Sequence, residues 1–233
     1  MNNDMAGFYR SKYKPAVTPA ASVPKDDQYH YMLSTQFESS DARRAFPCFD
    51  EPNLKASFEF EIEIPDDQTA LSNMPEKETR KGNKSGTKFV SFEASPVMST
   101  YLYAWAFGDF EYIEDFTRRK YNGKTLPVRV YTTRGLKDQG QLALESAHQI
   151  VDYFSEIFRI DYPLPKVDLL AVHEFVSHPP SFYICLLRIF LEVADGASLY
   201  VSPSLCSRAQ KLIWGFSHTA LWRTGVSSLT GMC

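Results

Sequence analysis

Between Ser57 and Ile64 the chain alternates apolar and acidic residues, Phe-Glu-Phe-Glu-Ile-Glu-Ile after the serine, which is the period-two pattern of a strand buried on one face. Pro65-Asp66-Asp67 supplies the turn chemistry that ends it. The glutamates of this run read as its solvated face. Residues 69–73, 87–94 and 98–107 are further apolar, β-branched or aromatic runs that predict strands, while 75–86 reads as a loop. One more strand is predicted at 126–132, and the charged run 111–124 before it has the composition of a loop. The first half of the chain is therefore expected to be mainly β.

The period changes after residue 140. Ala143, Ala147, Ile150, Val151, Phe154, Ile157 and Phe158 fall on one helical stripe, with Glu145, His148 and Asp152 off it, so His148 is expected on the surface. Asp161-Tyr162-Pro163-Leu164-Pro165 breaks the helix. Residues 166–172 then read as a strand that opens a mixed α/β layer.

Composition narrows the function classes. The 233 residues are 44% hydrophobic, enough for a buried core, and carry a net charge of -3 with a pI near 6.0, so no basic footprint for nucleic acid is present. No apolar stretch of signal-peptide length opens the chain, and a cytoplasmic location is expected. Cys48, Cys185, Cys206 and Cys233 form no CxxC pair, which argues for a reduced compartment rather than a disulfide framework or a structural zinc site. Residues 176–233 hold only six charged side chains, Arg188, Glu192, Asp195, Arg208, Lys211 and Arg223, so the chain has a compositional seam near residue 175. The apolar stretch 182–194 is shorter than the ~20 residues that span a bilayer and is interrupted by Arg188 and Glu192. No membrane partner is expected.

Motif chemistry read from spacing alone is sparse. His173-Glu174-Phe175-Val176-Ser177-His178 places its histidines at i and i+5, whereas a zinc-binding HExxH helix needs i and i+4. Pro179-Pro180 also forbids a continuing helix there. There is no P-loop, dinucleotide fingerprint or nucleophile-elbow motif.

The stretch from Ser34 to Pro52 fits neither period, crowding Thr35-Gln36-Phe37-Glu38, Asp41-Ala42-Arg43-Arg44 and Pro47-Cys48-Phe49-Asp50-Glu51-Pro52 together. It closely resembles the signature of the zinc-dependent aminopeptidases of the puromycin-sensitive and aminopeptidase N type. Met5 to Tyr13, Ala70 to Pro75 and Met98 to Leu102 resemble further landmarks of that family's amino-terminal β-domain, and Ala143 to Phe175 resembles the opening of its thermolysin-like catalytic domain. The resemblance implies a partial amino-terminal β-sandwich or saddle domain over residues 1–113 and the start of an α/β catalytic domain over 114–175. It also implies that Gln36 lines the pocket for a substrate's first side chain and that Glu38 pairs with the free α-amino group of a peptide. A carboxylate facing an ammonium forms a charge-assisted hydrogen bond, which suits that role. Asp41, Arg43, Arg44, Asp50 and Glu51 are expected to form an ion-pair network holding the loop, with Cys48 a small buried filler.

After Phe175 the family pattern stops, and neither its GAMEN segment nor its HExxH ligands come next. Val176-Ser177 is what an intron beginning GTGAGT would encode, and Phe216-Ser217 can carry an AG acceptor. Joining the Phe175 codon to the last base of the Ser217 codon shifts the frame, and residues 217–233 can then be read as SHGAMENWGLVTYRNV. Residues 176–233 are thus expected to be a non-family tail, a translated intron to residue 216 and a shifted exon beyond. The resemblance implies zinc in the intact enzyme and amino-terminal proteolysis of peptides. This chain, without the ligands, is expected to bind no metal and to be inactive. The alternative is a non-catalytic isoform that holds peptide amino termini or partners of the family.

Overall fold

The computed structural model describes residues 6–15 and 29–173, together with the backbone of 182–183. All but the first residue of the His173–His178 motif, and the tail beyond 175 apart from that two-residue backbone, lie outside the described residues. The described chain is built mostly of strands, with one α-helix. Its elements are β1 (Gly7–Tyr13), β2 (His30–Gln36), β3 (Glu61–Pro65), β4 (Thr69–Ser72), β5 (Glu76–Lys81), β6 (Thr87–Phe92), β7 (Trp105–Gly108), β8 (Phe110–Tyr121), β9 (Lys124–Thr133), α1 (Gln141–Phe158), β10 (Val167–Ala171) and β11 (Phe182–Tyr183).

The strands form three sheets, ordered β1-β2-β7-β4, β3-β6-β5 and β11-β10-β9-β8. The first two are antiparallel throughout, as expected of strands with one wet face. The third is mixed, because β9 and β10 run parallel with α1 as their crossover. β9 is its most apolar member: Leu126, Val128, Val130 and Tyr131 are all buried, which is what a strand covered on both faces requires. Tyr131 and Val172 pack with Tyr9, Tyr13, Met32, Ala106 and Phe110 in a single core that joins the first sheet to the third. A smaller core of Ile64, Val90 and Phe92, flanked by Phe60 and Phe107, joins the second sheet to the first.

The structure corrects several readings taken from the pattern. Residues 76–81 form β5, although Glu-Lys-Glu-Thr-Arg-Lys has no apolar face, because β5 is an exposed edge whose backbone pairs with β6. Residues 110–121 form a twelve-residue strand, charged for the same reason, since β8 is the outer strand of its sheet. Asn122-Gly123 joins it to β9 with φ values of 48° and 80°, the double left-handed turn that hairpins favour. The run 98–107 is a strand only from Trp105, after a 3-10 turn at Thr100–Leu102. Glu61 and Glu63 are more than a wet face: Glu61 pairs with Arg80 at 2.6 Å, and Glu63 accepts the Asn83 amide at 2.8 Å and the Thr87 hydroxyl at 2.6 Å.

The helix is rotated from its expected stripe. Its buried residues are Leu144, Ala147, His148, Val151, Phe154 and Ser155, while Ile157 is 45% exposed. Ser155 satisfies its hydroxyl on the Val151 carbonyl at 2.9 Å. His148 is therefore not a surface residue; it lies beneath β8, with Nε2 3.7 Å from the Asp115 carboxylate. Counting only apolar positions missed this, because a histidine ring can pack on a buried helix face beside a carboxylate. Gly140 lets the helix begin close against the sheet, since a Cβ there would meet Val130 Cγ1 at 3.0 Å.

Candidate substrate-recognition site

Gln36 is the last residue of β2, paired across the ribbon with Gly7. The side chains beyond it alternate, so that Gln36 and Glu38 are half-buried while Phe37 is 2% exposed. Phe37 turns inward against the rings of Trp105 at 5.2 Å and Phe46 at 5.9 Å. Trp105 in turn contacts Phe8, Phe60 and Tyr103. This aromatic cluster anchors the segment by its middle residue, which lies between the half-buried Gln36 and Glu38. The Glu38–Ser39 peptide bond is cis.

A tight turn comes next. The Asp41 amide donates to the Phe37 carbonyl at 2.8 Å, and Ala42–Arg44 form a 3-10 turn with Ala42 fully buried. The turn lies directly on β1: Gly7 has φ +70°, and a Cβ there would stand 2.9 Å from Arg44 Cβ. Only glycine suits that combination of left-handed backbone and close approach.

The expected ion-pair network is present in most of its members. Arg44 meets Asp41 at 2.8 Å. Arg43 reaches Asp50 through its backbone amide at 3.0 Å and its guanidinium at 3.3 Å. The Asp50 side chain is 1% exposed and also accepts the Thr100 hydroxyl at 2.6 Å. Burial alone would raise the Asp50 pKa, but the Thr100 hydroxyl, the Arg43 amide and the Arg43 guanidinium together hold it below the ordinary carboxylate value. Glu51 is exposed and takes no part in the network. Ser99 closes the far end, donating to the Pro52 carbonyl at 2.6 Å. Cys48 is partly exposed rather than buried, and desolvation and the Asp50 charge push the pKa of its thiol up.

A half-buried carboxylate beside an amide on an anchored segment can accept hydrogen bonds from an ammonium group and orient the peptide that carries it. It cannot by itself activate water at a carbonyl. Among the described residues no group of three or more His, Cys, Asp or Glu side chains is placed to hold a metal ion. His173, the first residue of the rejected zinc motif, stacks on Tyr13 at 4.8 Å and shares a 2.8 Å hydrogen bond between its Nε2 and Thr133. The described residues therefore do not fit a zinc centre. Among them, too, no helix is long and apolar enough to cross a membrane.

Sequence reasoning missed Thr35, Phe37, Thr100 and Trp105 as parts of the site. Phe37 was open to detection, because an apolar residue between two polar ones is a period-two signal even when it is short. Thr100 lies 50 residues from the Asp50 it bonds, and Trp105 lies 70 residues from Thr35; no local pattern marks either of them.

The antiparallel sheet that carries Gln36 is followed along the chain by a β-α-β layer, β9-α1-β10. Residues 1–102 match the Peptidase M1 N-terminal domain. Over 175 residues, 75% of this chain and 19% of the relative, the sequence is 45% identical to the alanine/arginine aminopeptidase of Saccharomyces cerevisiae. It is 43% identical to aminopeptidase M1 of Arabidopsis thaliana over 76% of this chain and 18% of that protein. With the puromycin-sensitive aminopeptidase of Caenorhabditis elegans it shares 44% identity over 91% of this chain and 20% of the relative, an alignment that reaches past residue 175. The chain belongs to the M1 aminopeptidase family. It spans about a fifth of the length of the relatives it matches.

Proposed function

We propose that this chain is the part of a metallo-aminopeptidase that recognises the free amino terminus of a peptide, and that by itself it does not hydrolyse peptides. The observation that supports the reading is the burial of Phe37 against Trp105 between two half-buried polar residues, Gln36 and Glu38. Glu38 would accept the ammonium hydrogen bonds, and Gln36 would border the space for the first side chain. The names of the relatives support aminopeptidase activity for the whole protein. In that protein a zinc ion would polarise the first peptide carbonyl and supply an activated water; Gln36 and Glu38 would bind and orient the amino terminus. A retained amino-terminal recognition site without catalysis also fits a truncated form that binds peptides.

Chromogenic aminoacyl anilides incubated with this chain and added zinc should release no more product than a Gln36→Ala/Glu38→Ala chain. Turnover above that control would contradict the absence of catalysis.

A further inference from the structure

We propose that the Thr35 hydroxyl, set between β2 and the backbone of Trp105, is the positioning group that turns Gln36 and Glu38 out of the sheet toward a peptide amino terminus; this rests on the recognition role proposed for those two residues. The antiparallel ladder between β2 and β7 has two rungs, Leu33 opposite Phe107 and Ser34 opposite Ala106. The next rung would set Thr35 opposite Trp105, joined by backbone amide and carbonyl groups. The ladder ends there instead. The Trp105 amide donates to Thr35 Oγ1 at 3.0 Å, and the same hydroxyl donates to the Trp105 carbonyl at 3.3 Å. One hydroxyl thus stands in for both backbone groups of the missing rung.

On its other side β2 stays in register, with Thr35 opposite Phe8 and Gln36 opposite Gly7. At the point where the proposed recognition segment begins, the β1–β2 ribbon is therefore joined to β7 through one side chain. The rings of Phe8 and Phe37 pack on the Trp105 ring at 5.6 Å and 5.2 Å. Valine has the shape of threonine but neither donates nor accepts. In its place the Trp105 amide and carbonyl lose their partner, or the strands close to form the backbone rung; in both cases Gln36 and Glu38 move.

The test compares the full 233-residue chain with its Thr35→Val and Thr35→Ser forms. The probes are an alanyl tripeptide amide with a free amino terminus and its acetylated counterpart, and the readouts are affinity and the NMR titration of the Glu38 carboxyl carbon. Thr35→Val is expected to lower affinity for the free peptide tenfold or more and to displace the Glu38 titration midpoint, while Thr35→Ser stays within about twofold. A Thr35→Val chain that binds and titrates like the unsubstituted one overturns the proposal, as does a Thr35→Ser chain that fails as completely as valine. If the unsubstituted chain shows no preference for the free peptide, the role of Gln36 and Glu38 falls. An unchanged Glu38 midpoint in Thr35→Val then separately overturns that of Thr35. Thr35→Ala replaces the valine form should that one not fold.

Discussion

Replacing Asp50 by alanine should lower the free energy of unfolding by about 3–5 kcal/mol, the range seen when one partner is deleted from a buried ionic network. Its side chain is 1% exposed, and its two oxygens take the Thr100 hydroxyl, the Arg43 amide and the Arg43 guanidinium. The guanidinium is the least of these losses, because the Arg43 side chain is 53% exposed and can be rehydrated. The buried hydroxyl and amide are left without an acceptor, at about 1–3 kcal/mol for each unsatisfied group. Denaturant titration of the two chains measures the difference, and a loss below about 1 kcal/mol would contradict this account of the loop.

The same carboxylate carries a pH signature. Its folded pKa lies below the unfolded value of about 3.9. Its contribution is therefore fully present above that value and is lost as pH falls through the folded pKa. The stability gap between the unsubstituted chain and Asp50→Asn should accordingly be constant near neutrality and shrink only below about pH 4.

Phe37→Ala is the second large effect, with an expected loss of about 3–5 kcal/mol for truncating a buried phenylalanine. The ring is 2% exposed and packed against Trp105 and Phe46. Phe37→Leu, which keeps most of the volume, should cost less than half as much. The discriminating feature is where the loss appears: hydrogen exchange should rise at the Asp41 amide, whose bond to the Phe37 carbonyl closes the turn. Equal stability of the alanine and leucine forms would show that the aromatic cluster does not anchor the segment.

The alternation of Phe58, Phe60, Ile62 and Ile64 made β3 legible, although the strand itself begins only at Glu61, because one wet and one dry face leave a period-two trace. β5 and β8 left no such trace. An edge strand can be held by backbone bonds on one side alone, so its side chains may be charged throughout, and only Asn122-Gly123 marks the β8–β9 hairpin locally. His148 shows the converse: a titratable residue can occupy a buried helix face, which an apolar count overlooks.

The site divided along the same line. Asp41, Arg43, Arg44 and Asp50 are close in sequence, and their pairing could be read from it. The groups that bond Thr35 and Asp50, Trp105 and Thr100, arrive from a distant strand and turn. Their contribution depends on sheet register, which pattern alone does not fix.

The most direct measurement is calorimetric titration of the chain with an alanyl tripeptide amide, free and amino-terminally acetylated, repeated on Glu38→Gln. Binding of the free peptide that is lost on acetylation and falls at least tenfold in Glu38→Gln is the expected result. Equal affinity for the two peptides, or a Glu38→Gln chain that binds like the unsubstituted one, would contradict the assignment of Glu38 as the amino-terminal receptor.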